Sequence, residues 1–143
     1  MDLQRNFINS AYEKIRYANH SGTSNCFGGT CHLIGEKGKD EYVGLNEMVC
    51  MLNKLSKADI PELGYVVVWR DDEGKPYHSA LITGLEDSIR LATRNGKGKS
   101  IYPNQKFAIT HDIVLKSMEE EGKKFGELNY FIPSKLNEKY GQN

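Results

Sequence analysis

Apolar residues recur at three- and four-residue spacing in several segments of the chain, and this pattern predicts amphipathic helices. The clearest segment predicts a helix over residues 2–18. A second segment begins at Leu45 and ends at Leu55, and a third predicts a helix over residues 111–121 that Thr110 caps. We expect the apolar stripes of these helices to form core.

Dense β-forming runs occupy the second half of the chain, and turn residues separate them. Residues 64–70 and 77–84 flank a polar segment that contains Gly74 and Pro76, an arrangement typical of an antiparallel hairpin. Further strands are expected over residues 88–94, 106–109 and 128–132. Helices followed by strands predict an α+β fold with an antiparallel sheet.

Length and charge narrow the class of protein. The 143 residues are expected to form one domain, residues 1–143, with a loose polar tail over residues 134–143. With 19 basic and 19 acidic side chains the net charge is zero, so no overall field attracts nucleic acid. No apolar run approaches the ~18 residues of a membrane span, and the first residues lack the apolar core of a secretory signal. We therefore expect no nucleic-acid partner, no membrane span, and either a cytoplasmic location in the producing cell or export without a classical signal peptide.

The three cysteines are not spaced like a disulfide framework, and an odd number cannot all pair. Cys26 differs from Cys31 and Cys50 because cap-forming residues precede it. Either Ser24 or Asn25 is a suitable N-cap, which would place the Cys26 thiol at a helix N-terminus. The unpaired N–H groups and the dipole at that end favour a thiolate, the reactive form of cysteine.

The residues after Cys26 suggest a second constraint on this helix. Gly28 and Gly29 are poor helix formers, so we expect another part of the chain, or a substrate, to approach closely there. The helix is expected to end near Gly35. Cys50 lies beside the apolar face of the helix that begins at Leu45 and is expected to be a small buried hydrophobe.

His78 is the candidate base for the thiol, because it opens the second strand of the predicted hairpin. Its side chain shares a strand face with Ala80 and Ile82. Of the four histidines, only His78 heads a strand whose other residues are typical of core.

Three short motifs in this order resemble the papain-like cysteine peptidases and amidases, most closely the NlpC/CHAP type. They are Asn25-Cys26-Phe27-Gly28, Leu63-Gly64-Tyr65-Val66-Val67-Val68 and His78-Ser79-Ala80-Leu81-Ile82. The resemblance covers about residues 20–95 and departs from the family pattern at Tyr65, where an acidic residue is usual. It implies a papain-like fold in which N-terminal helices pack on an antiparallel β-sheet.

The resemblance also implies acyl transfer through a thioester. His78 would take the thiol proton, Cys26 would attack an amide carbonyl, and the Cys26 backbone N–H would help to hold the oxyanion. A third residue should orient the imidazole. In the family it comes from the next strand, where Asn95 and Thr93 are both candidates here. His20 is a candidate for a second oxyanion donor.

No cofactor is needed for this chemistry, and no metal is expected, because Cys26, Cys31, His32 and His78 lack the paired spacing of a zinc site. The resemblance points to peptide or peptidoglycan-peptide substrates, as for a phage lytic domain or for a toxin or effector. Cleavage or deamidation of a host protein would use the same residues. The alternative is a non-catalytic binding or immunity-type domain that keeps the fold and binds a host or immunity protein.

Overall fold

The computed structural model describes residues 2–16, 24–94, 109–114 and 128–140, and within them the α+β prediction is confirmed. The helices are α1 (Asp2–Arg16), α2 (Cys26–Leu33), α3 (Leu45–Asn53) and α4 (Ser134–Tyr140). The strands are β1 (Ser56–Ala58), β2 (Val66–Arg70), β3 (Pro76–Gly84), β4 (Arg90–Arg94), β5 (Ile109–Val114) and β6 (Leu128–Ile132).

All strand pairs described are antiparallel, and the six strands form one sheet in the order β1-β6-β2-β3-β4-β5. The predicted hairpin is the β2–β3 pair, in which Trp69 lies opposite His78. Strand β6 comes from the end of the chain and inserts between β1 and β2. The central strands β2 and β3 therefore have a hydrogen-bonded neighbour on both sides.

Each face of the sheet carries its own group of packed apolar side chains. Alternation along β2 and β3 sends one set of residues toward the helices and the other set to the opposite face. The helix-side cluster joins α1, α2 and α3 to the sheet and contains, among others, Cys26, Phe27, Val66, Val68, Leu81, Ala92 and Phe131. The opposite cluster contains Val67, Trp69, Ala80, Ile82 and Leu91.

One segment has a different secondary structure from the predicted one. Residues 109–114 form strand β5 and pair with β4, whereas the sequence pattern predicted a helix from residue 111. The β-branched residues Ile109, Thr110, Ile113 and Val114 favour a strand once an edge is available for pairing. Residues 115–121 of the predicted helix lie outside the described residues.

Two smaller expectations were also wrong, and one strand was not predicted. Ser56–Ala58 forms a short edge strand that the sequence pattern did not indicate. Residues 134–140 of the predicted loose tail form a helix, in which Leu136 is buried against the domain, and residues 141–143 of that tail lie outside the described residues. Cys50 is exposed rather than buried.

Among the described residues, no helix combines the length and the apolar character needed to cross a bilayer.

Candidate active site

The N-terminus of α2 is closed by Asn25, one of the two predicted caps. Its side-chain oxygen accepts hydrogen bonds from the backbone N–H groups of Gly28 (2.9 Å) and Val43 (3.1 Å). Its amide nitrogen donates to the Val43 carbonyl at 2.8 Å. Asn25 therefore caps the helix and also fixes the segment that contains Val43 against it. Cys26 is the first residue of the helix.

The surroundings of Gly28 explain why this helix contains a glycine at that position. A Cβ atom at this position would lie 1.9 Å from the Glu41 carbonyl oxygen and 2.6 Å from the Ser24 hydroxyl. Only glycine admits the backbone of the Asp40–Val43 segment this close to the helix. The close approach predicted from the sequence is thus made by the chain itself.

The Cys26 thiol lies between the first turn of α2 and the beginning of β3. Its side chain is buried, with 7 % exposure, and Sγ contacts the Tyr77 carbonyl oxygen at 3.8 Å. Burial raises the pKa of the thiol, while hydrogen bonds from the backbone N–H groups of Ser79, Phe27 and Cys26 lower it. Burial is the larger effect, so Cys26 is a neutral thiol at pH 7 with anion-stabilising N–H groups around it.

His78 occupies the first regular position of β3 after a bulge. Trp69 faces His78 and Arg70 faces Pro76, so Tyr77 is the additional residue. The imidazole packs at a tilt against the Trp69 indole, with ring centroids 5.1 Å apart. Desolvation in this apolar setting lowers the pKa of His78 to about 4, so the ring is neutral at pH 7.

Thr93 on β4 fixes the orientation of the imidazole. Its Oγ1 lies 3.2 Å from His78 Nε2 and donates a hydrogen bond to the Ser79 carbonyl at 2.7 Å. Because the hydroxyl proton points at Ser79, the oxygen offers a lone pair to the ring. We therefore assign the proton of neutral His78 to Nε2, which leaves Nδ1 as the basic nitrogen.

Thr93 is thus the residue that the structure brings to His78. The other candidate for this role, Asn95, lies outside the described residues, as does His20.

The thiol and the imidazole both border the beginning of β3 but make no hydrogen bond with each other. The Ser79 side chain lies on the helix side of the strand. Its hydroxyl donates to Thr30 Oγ1 at 2.8 Å and lies 3.3 Å from the Cys26 carbonyl oxygen. The neighbouring His78 ring contacts Trp69, a member of the opposite cluster. Cys26 and His78 therefore approach one strand segment from its two sides.

A buried ion pair next to these residues was not predicted from the sequence. The Arg94 guanidinium binds the Asp40 carboxylate, and their side chains are 0 % and 2 % exposed. The same carboxylate accepts a hydrogen bond from the Ser24 hydroxyl at 2.5 Å. Asp40 belongs to a charged, glycine-containing segment, residues 36–41, and local sequence gives no signal that its partner is Arg94.

No group of three or more histidine, cysteine or acidic side chains is arranged to hold a metal ion in the described part of the chain. The second cysteine of α2, Cys31, instead contacts the Met48 thioether at 3.8 Å in the core. Burial, followed by the charge of Glu36, raises the pKa of Cys31 to about 12. His32 Nδ1 lies 3.1 Å from the Lys37 carbonyl oxygen.

Comparisons of the chain with protein-family models, with curated proteins and with solved structures found no match. The function is therefore inferred from the residues and their geometry.

Proposed function

We propose that this protein is a papain-like cysteine hydrolase of the NlpC/CHAP type that cleaves an amide or peptide bond. The observation that carries the proposal is the contact between Thr93 and His78, which gives the imidazole one tautomer and leaves Nδ1 as a base. Cys26 supports it, because its thiol lies at a capped helix N-terminus beside the same strand segment.

In the proposed reaction, His78 Nδ1 accepts the thiol proton as Cys26 Sγ attacks the carbonyl carbon of the substrate. Backbone N–H groups around the sulfur stabilise the negative charge on the carbonyl oxygen. The C–N bond then breaks, the amine leaves with the proton from His78, and a thioester remains. Water gives its proton to His78 and hydrolyses the thioester, which releases the acid and restores the thiol.

This reaction requires the imidazole to leave the Trp69 side of β3 and come within hydrogen-bonding distance of the sulfur when substrate is bound, because in the free protein the two side chains lie on opposite sides of the strand. The required change is therefore a rearrangement at the beginning of β3, which is larger than the tightening of a long catalytic hydrogen bond on substrate binding. A substrate carbonyl that displaces the Tyr77 carbonyl from Cys26 Sγ would free the sulfur to contact the His78 imidazole.

The resemblance of the motifs points to peptidoglycan peptides as substrates, including links between a γ-glutamyl group and a diamino acid. The test is to incubate such peptides with the native protein, with Cys26→Ser and with Cys31→Ser, and to measure the new amine. Loss of the nucleophile should reduce the rate by at least about a thousandfold. The Cys31→Ser control, which changes a core thiol of the same helix, should retain the rate within about threefold. Equal product release by native protein and Cys26→Ser would contradict the proposal.

A second candidate function is a non-catalytic binding or immunity-type domain with the same fold. The 7 % exposure of Cys26 and the neutral state of both Cys26 and His78 favour it. Under this alternative a host or immunity protein would be the partner, and Cys26→Ser would leave the binding of that partner unchanged. Turnover that depends on Cys26 would exclude the alternative.

A further inference from the structure

The buried ion pair between Arg94 and Asp40 connects two parts of the candidate active site that are far apart in the sequence. Arg94 directly follows Thr93, the residue that orients His78. Ser24, which donates to the Asp40 carboxylate, directly precedes the helix cap Asn25. The network therefore joins the end of β4 to the beginning of α2.

Asp40 also begins the segment that holds the helix cap in place. Three residues further along, the backbone of Val43 makes both of its hydrogen bonds with the Asn25 side chain. Between them, the Glu41 carbonyl lies against Gly28 in the first turn of α2. Movement of Asp40 would consequently be transmitted to the helix turn that carries the thiol.

Stability alone gives a weak reason for this ion pair. Removing two charges from water is costly, and apolar residues of similar volume often maintain or increase the stability of a fold that loses a buried ion pair. The side chains of Arg94 and Asp40 are almost fully removed from solvent, so this cost applies to both. A buried pair can instead serve to select one arrangement of the surrounding segments.

We propose that Asp40 and Arg94 are positioning residues that hold the first turn of α2 at a fixed place relative to the Thr93 end of β4, and thereby set the approach of the Cys26 thiol to the His78 imidazole. The consequence for catalysis rests on the proposed hydrolase function. The geometric part, that the pair fixes this turn, does not.

The principal variant is Asp40→Leu/Arg94→Met, which replaces the pair by apolar side chains without leaving one charge unpaired. Its matched control is Glu47→Leu/Lys37→Met, which removes a solvent-exposed ion pair near the other end of α2. All variants carry Cys50→Ser, because Cys50 is exposed and would react with any thiol reagent.

The first measurement is amide hydrogen exchange at Gly28 and Val43, whose N–H groups both donate to Asn25. In Asp40→Leu/Arg94→Met we expect exchange at these two amides to accelerate at least tenfold, while the amides of β2 and the melting temperature change little. The control should leave both amides unchanged. Native exchange rates at Gly28 and Val43 in a folded double variant would overturn the proposal, and so would a uniform acceleration across the sheet.

The second measurement is the pH profile of Cys26 alkylation. In the native protein, His78→Ala should lower the alkylation rate of Cys26. In Asp40→Leu/Arg94→Met, the factor by which His78→Ala lowers this rate should be at least tenfold smaller. If native alkylation is already independent of His78, the hydrolase proposal fails, whereas the exchange at Gly28 and Val43 still decides the positioning proposal.

A milder variant covers the case in which the double variant does not fold. Ser24→Ala removes only the hydroxyl that binds Asp40 and should accelerate exchange at Gly28 and Val43 about threefold without lowering the melting temperature. Ser24→Thr keeps a hydroxyl at this position and should restore native exchange. Identical exchange in Ser24→Ala and the native protein would contradict the proposal.

Discussion

The two ends of α2 carry one cysteine each, and they are stabilised in different ways. At the C-terminus the helix is closed by its own backbone, with Gly35 in the left-handed region at φ +83° and its N–H donating to the His32 carbonyl. At the N-terminus it is closed by side chains that bind distant segments, through Asn25 to Val43. Cys31, near the C-terminus, is packed in the core, whereas Cys26, at the N-terminus, has backbone N–H groups around it.

This difference indicates where chemistry is possible on the helix. A thiol in an apolar environment is held neutral, as Cys31 is with its pKa raised to about 12. At Cys26 the same effect of burial is opposed by three backbone N–H groups. The N-terminal end therefore combines a thiol with groups that stabilise negative charge, whereas the thiol near the C-terminal end is packed in the core.

The largest effect should come from adding one methyl group at the N-terminal end. Gly28→Ala would place Cβ 1.9 Å from the Glu41 backbone carbonyl, which cannot move without displacing the Asp40–Val43 segment. We expect a loss of about 3 to 4 kcal/mol in the free energy of unfolding, measured by urea denaturation.

Two alanine substitutions serve as controls for that prediction. Gly35→Ala, at the other end of α2, meets the flexible Lys135 side chain and a positive φ, so it should cost about 1 to 2 kcal/mol. Gly38→Ala has open space and should change stability by less than about 0.5 kcal/mol. Equal costs at Gly28 and Gly35 would mean that the two ends of α2 do not differ as described.

Acidification should produce the next largest effect, through His78. Its pKa of about 4 in the folded protein lies below the ordinary value of 6.5. Between these pH values the unfolded chain binds a proton that the folded protein does not, so stability falls as the pH decreases from 6.5 toward 4 and levels off below. Because His78 is largely buried, the loss should reach about 3 kcal/mol.

The measurement for this prediction is urea denaturation at a series of pH values between 4 and 7. His78→Gln should abolish the part of the acid loss that comes from His78, while His32→Gln, which changes a histidine near the other end of α2, should retain it. If His78→Gln leaves the pH dependence of the free energy of unfolding unaltered in this range, the His78 imidazole is not buried and neutral in the folded protein.

The parts of the fold that depend on local pattern were predictable from sequence. The hairpin β2–β3, the strands β4 and β6, and the end of α2 near Gly35 follow from β-forming runs, turn residues and glycine. Strand β5 was not predictable, because its residues fit a helical pattern equally well and only pairing with β4 decides between the two. The helix that contains Leu136 was missed because its burial depends on contacts with the domain rather than on the polar sequence around it.

The candidate site shows the same division. Asn25 as one of two possible caps and the close approach at Gly28 could be anticipated, because each leaves a local signature in the sequence. The segment that approaches Gly28 could not be anticipated. The burial of Asp40 could not be anticipated either, because it depends on Arg94, which is 54 residues away in the sequence. Asn95 and Thr93 were both candidates in the sequence, and the register of β4 brings Thr93 to the imidazole.

A catalytic role for Cys26 and His78 is tested by the rate at which iodoacetamide alkylates the two cysteines of α2, measured by mass spectrometry in Cys50→Ser at pH 7.5. If the N-terminal end of α2 is the reactive one, Cys26 should react at least about tenfold faster than Cys31, because only Cys26 has N–H groups that stabilise its thiolate. His78→Ala should remove this difference. Equal, slow labelling of both thiols, or a Cys26 rate that His78→Ala leaves unchanged, would contradict a catalytic role for Cys26 and His78.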